Sequence, residues 1–144
     1  MSPAPRRAVA RSAPAEMTAT KAATKVAREA ADAGREQWSA DAGEREVAVL
    51  AIPPHAQRER SFEIFCRLEV ANRAGHADAT HSLRVLVNGV LEWSRSVPTH
   101  LDGGDSLDLR LRRTVPAGQA LRVTANASTK RSTRLGLRIS AEED

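Results

Sequence analysis

From about residue 46 onward the chain alternates apolar and polar positions with a period of two. The pattern is cleanest where Phe62, Ile64, Cys66, Leu68 and Val70 fall on one side of an extended chain and Glu63, Arg67 and Glu69 on the other. It recurs as Leu107, Leu109 and Leu111 against Asp108, Arg110 and Arg112, and as Leu121, Val123 and Ala125 against Arg122 and Thr124. A last repetition sets Leu135, Leu137 and Ile139 against Arg134 and Arg138. With turn signals separating the runs, strands are predicted at 46–52, 61–72, 82–88, 90–97, 106–113, 119–127 and 133–140. Short strands at this spacing predict an all-β fold, an antiparallel β-sandwich of about seven strands with Ig-like or jelly-roll-like wiring.

The stretch Ser82–Val97 organises the rest: two β-branched-rich runs meet at Asn88-Gly89. That pair suits a two-residue type I′ turn, whose central residues both take positive φ. A regular ladder from this turn sets Val87 opposite Val90, Leu86 opposite Leu91, and Arg84 opposite Trp93. One face then carries Leu83, Val85, Val87 and Val90, and the other Leu86, Leu91, Trp93 and Val97, so the second face is apolar enough to be covered by something outside the core.

The N-terminal third lacks this pattern. Residues 1–15 hold Arg6, Arg7 and Arg11 with three prolines and no acid before the helical segment, which predicts a flexible arm. From Ala15 to Gln37 the chain is Ala-rich, with Lys25–Glu29 and Arg28–Asp32 spaced to pair along a helix. Its apolar stripe is thin, so the helix is conditional on a partner surface. The expected division is an arm at 1–45 and a sandwich domain at 46–144.

Composition narrows the function. The 144 residues carry a formal net charge of +4, mostly as arginine, which admits an anionic partner without demanding one. Cys66 stands alone, so neither an internal disulfide nor a multi-cysteine zinc site is expected, and it reads as a small buried apolar residue. No apolar run reaches the roughly 18 residues of a membrane helix. The N-terminus has no apolar central region of the kind a classical secretory signal uses.

Candidate chemistry is sparse. His76, Asp78, His81, His100 and Asp102, with Asp105, fall in segments expected at one end of the sandwich, and residues of these types can ligate a divalent metal. They match no ligand signature and read more simply as polar turn residues. No nucleophile elbow or paired-acid motif is present, so no catalytic residue and no cofactor is expected, and the chain reads as a non-enzyme. The arginines Arg84, Arg110, Arg112, Arg122, Arg134 and Arg138 lack interleaved aromatics, which makes nucleic acid the less favoured partner.

The arm, the segment RVLVNGVLEW, the strand start GGDSLDLRL and the hairpin VPAGQALRVTA together resemble the small β-sandwich virion proteins of tailed bacteriophages, of the head decoration or cement type. The resemblance implies a structural protein, located in the virion or in the cytoplasm during assembly. Its partners would be capsid or tail subunits and further copies of itself, held through Arg6, Arg7, Arg11, Leu86, Leu91 and Trp93. The competing expectation is a bacterial surface or secreted binding module that takes carbohydrate or protein through its end loops and Trp93.

Overall fold

The computed structural model describes residues 34–144. Arg6, Arg7 and Arg11 and nearly all of the expected 15–37 helix lie outside those residues. The described chain is all-β, with eight strands: β1 (Gln37–Asp41), β2 (Val47–Ile52), β3 (Arg60–Ala71), β4 (Thr80–Val87), β5 (Val90–Pro98), β6 (Gly104–Val115), β7 (Leu121–Lys130) and β8 (Thr133–Glu143). Seven correspond to the predicted strands. β1 is additional, lies ahead of the boundary expected at residue 46, and pairs with β8 from Gln37↔Glu142 to Asp41↔Arg138.

Two four-stranded antiparallel sheets result, the first ordered β1-β8-β3-β6 and the second β2-β7-β4-β5. The pairs β1·β8, β2·β7, β3·β6 and β4·β5 are nested, so the chain runs as one long antiparallel ribbon doubled back at the β4–β5 turn and then wrapped into two layers. This is jelly-roll wiring. The Asn88-Gly89 turn is therefore the innermost turn of the ribbon, and both residues take the positive φ that it requires, +49° and +82°. Asn88 also accepts a hydrogen bond from the Arg122 backbone N–H at 2.8 Å, which ties the turn to β7.

Alternation fills the space between the sheets. Phe62, Ile64, Cys66, Leu68 and Val70 from β3 meet Leu83, Val85, Val123, Ala125, Leu137 and Ile139, all fully or almost fully buried. Each large side chain buried this way contributes about 1.5–3 kcal/mol. The Cys66 thiol sits among them, and burial pushes its pKa up to about 12, so it is an inert packing residue.

Two bulges break the regular pattern. One lies between Glu69 and Val70, where β8 passes from Gly136 to Arg134 and leaves Leu135 out of the ladder. Leu135, expected in the core, is instead 38% exposed. The other lies between Val85 and Leu86, and it changes the hairpin's expected register: Leu86 pairs with Leu91, but Val85, not Arg84, pairs with Trp93. The extra residue is Glu92. Because strand side chains alternate strictly, one inserted residue moves everything beyond it to the other face. Trp93 and Val97 consequently pack half-buried against the core and not on the outer face assigned to them from the sequence.

At the end of the sandwich where β1 starts and β8 finishes, charges close the structure. The buried Arg60 guanidinium donates to Glu36 Oε1 and to the Pro53 carbonyl, both at 2.8 Å. Arg58 forms a bidentate pair with Glu143, and the Glu36 backbone N–H donates to Glu143 Oε1 at 3.0 Å. Burial works to raise the Glu143 pKa, but the Arg58 hydrogen bond and the nearby guanidiniums outweigh it, so the carboxyl is held below its ordinary value.

Candidate functional site

The topology does place the segments of His76, His81 and His100 at one end, opposite the Asn88-Gly89 turn, yet each residue is already engaged in structure or stands apart. His81 points inward from β4, buried, and its Nδ1 lies 2.7 Å from Thr99 Oγ1. Burial pushes its pKa down, with Asp105 opposing and His100 adding to the shift. The His76 backbone is held by Asn72, whose amide and carbonyl close a tight loop. Asp78 pairs with Arg131 at 3.0 Å. His100 lies 3.9 Å from Asp105, and Asp102 is turned to solvent in the β5–β6 loop. No group of three metal-ligating side chains forms among the described residues, so His76, Asp78, His81, His100 and Asp102 are not assembled as the candidate ligand set.

The two outer faces carry the stronger contrast. On the first sheet, the rows run across the strands as Ser39–Ser140–Phe65–Arg110 and Asp41–Arg138–Arg67–Asp108. Here opposite charges are interleaved and satisfy one another: Arg67 with Glu69 at 3.0 Å and with Asp108 at 3.7 Å, Arg110 with Glu63 at 3.6 Å, and Arg112 with Asp144 at 3.2 Å. Arg110 also stands over the Phe65 ring, 5.5 Å from its centroid. Such exposed pairs contribute little stability individually, but they engage most of the charges on this face; Asp41, Arg138 and Glu142 make no ion pair among the described residues.

The outer face of the second sheet is built differently. One row crosses all four strands as Val49–Thr124–Leu86–Leu91. Val49 is 39% and Leu91 48% exposed, with Val47 beside them at 42%. The flanking row is Val47–Asn126–Arg84–Ser94, and on the other side Arg122 pairs with Ala51. The outward positions of β2, β7, β4 and β5 include no carboxylate apart from the bulged Glu92, which turns away to pair with Arg113 of β6. Arg84, Arg122 and Lys130 make no ion pair among the described residues. An apolar row bordered by uncompensated guanidiniums and hydroxyls is suited to binding.

Of the residues singled out from the sequence, Leu86 and Leu91 belong to this face and Trp93 does not. Val47, Val49, Arg84 and Arg122 join them. The valines were hidden inside the unbroken apolar run Val47–Ile52, which shows no period from which an outward side could be read. A shallow groove of about 220 Å³ lies beside the turn, between Val87, Val90 and Glu92 on one side and Arg113, Pro116 and Gln119 on the other.

The chain matches no protein-family model and no curated protein. Among solved structures, dimeric latent PorU from Porphyromonas gingivalis is similar at 14% identity and a TM-score of 0.46, over 76% of this chain and 13% of that one. A family 35 carbohydrate-binding module from Clostridium thermocellum is similar at 13% identity and a TM-score of 0.36, over 67% of this chain and 72% of that one. Eiger TNF from S. frugiperda is similar at 10% identity and a TM-score of 0.38, over 67% of this chain and 64% of that one. None of these three is a virion protein. At such identities the likeness is one of sandwich architecture, and no residue role passes from those proteins to this chain.

Proposed function

We propose that this chain is a non-catalytic structural module of a larger protein assembly and that it docks onto a neighbouring subunit through the outer face of the second sheet. The observation that carries this reading is the asymmetry of the two faces. The first interleaves carboxylates with its arginines and pairs most of them, whereas the second leaves an apolar row exposed beside Arg84 and Arg122 with no outward carboxylate apart from Glu92. The virion setting implied by the sequence resemblance is one assembly of this kind. The alternative, a carbohydrate- or protein-binding module, drew on the end loops and on an outward Trp93, and the bulge at Glu92 turns that tryptophan toward the core, which leaves the end loops to carry it.

The test is site-specific photo-crosslinking in cells that make the chain naturally, with a photoreactive residue at Leu86, at Leu91 or at Phe65. The expected result is one discrete cross-linked protein from positions 86 and 91 and none from 65. Cross-linking confined to position 65, or none from any position, contradicts the reading.

A further inference from the structure

We infer that the occupant of the second sheet's outer face is an acidic protein segment with apolar side chains, its carboxylates seated at Arg84 and Arg122. This rests on the docking role just proposed and adds the partner's chemistry. The apolar row Val49–Thr124–Leu86–Leu91 spans four strands, a length of about 14 Å at the usual strand spacing. Arg84 and Arg122 sit two residues to either side of it, on adjacent strands, which places one cation about 7 Å above the row and one about 7 Å below. A segment with apolar side chains along its middle and carboxylates on both flanks matches that layout. Two carboxylate–guanidinium contacts then add orientation to the apolar contact.

Charge excludes the nearest rivals. Residues 1–33 of this chain hold six cations (Arg6, Arg7, Arg11, Lys21, Lys25 and Arg28) and three carboxylates (Glu16, Glu29 and Asp32), the wrong balance for this face. A second copy offers either the same cationic face, which sets guanidinium against guanidinium, or a face whose charges are largely paired already. Nucleic acid supplies negative charge, but the face has no aromatic side chain on which bases stack, and its centre is aliphatic.

The experiment uses the full-length, isotope-labelled protein, amide NMR spectra and four probes: 12-residue peptides of alternating Glu and Leu, Glu and Ser, or Lys and Leu, and a 12-nucleotide single-stranded DNA. The Glu/Leu peptide should shift the amides of Val49, Leu86, Leu91 and Thr124. Its affinity should fall about tenfold in Arg84→Glu/Arg122→Glu, a pair of exposed changes whose unaltered spectrum elsewhere reports an intact fold. Glu/Ser and Lys/Leu should bind at least about tenfold more weakly. Equal binding of Glu/Ser, stronger binding of DNA at the same residues, or no binding by any acidic peptide overturns the inference. If cross-linking from Leu91 succeeds while these peptides fail, the face docks a partner of other chemistry and only this inference falls.

Discussion

Gly89 takes φ +82° at the innermost turn of the ribbon, where a β-branched side chain meets the left-handed backbone penalty. Gly89→Val should therefore lower stability by about 1–3 kcal/mol, read as a shift in urea midpoint with an unchanged slope. This position was legible because the Asn-Gly pair has a single strong structural use. His81 shows the opposite case. Nothing in its sequence neighbourhood separates a buried histidine from a loop ligand, and only the fold places its Nε2 in the interior without a hydrogen-bond partner among the described residues. Its folded pKa lies below the ordinary 6.5, so the unfolded chain takes up the proton first. Stability is then full above about 6.5 and declines as pH falls below that value. Replacing His81 by Gln, which keeps a partner for Thr99 and does not titrate, should flatten the urea midpoint between pH 7.5 and 5. Glu143 adds a separate, lower window: its depressed pKa contributes stability above the ordinary 4.5, lost as pH falls through the folded value.

Among the elements, period-two alternation identified seven strands and most of their inward faces, because burial on one side imposes that pattern directly. It could not reveal the bulges, since a single unpaired residue leaves the local alternation intact on both sides and only resets its phase. Trp93 and Leu135 were assigned to the wrong faces for this reason. β1 escaped notice because Gln37–Asp41 is short, polar and only half-buried, and its pairing is made with the far end of the chain. The bulge at Glu92 has a testable role, for it both turns Trp93 inward and frees Glu92 to pair with Arg113 across the sheet edges. Deleting Glu92 should remove the bulge and leave Val85 opposite Trp93 in a regular ladder, so that Trp93 and Val97 stay inward and only the Glu92–Arg113 pair is lost. The expected cost is below about 1 kcal/mol. In a Trp38→Phe background the Trp93 emission should keep its wavelength; a shift to longer wavelength would mean that Glu92 is not the inserted residue.

At the scale of the whole molecule, the sequence indicated a sandwich and an apolar second face on the β4–β5 hairpin, but not which strands pair. The nested order arises from contacts far apart in the chain, and those contacts bring Val47 and Val49 of β2 into line with Leu86 and Leu91. Sheet pairing thus assembles the docking face from two segments that share no motif. The opposite sheet, also of four strands, supplies an internal control. The most direct measurement compares Leu86→Ser/Leu91→Ser with Phe65→Ser/Arg110→Ser, matched for melting temperature, by the fraction of chain recovered in the native high-mass assembly. The first pair should reduce that fraction about tenfold, equivalent to about 1.4 kcal/mol of binding, and the second should leave it unchanged. Loss of incorporation from the Phe65/Arg110 pair, with the Leu86/Leu91 pair incorporating normally, would contradict the account.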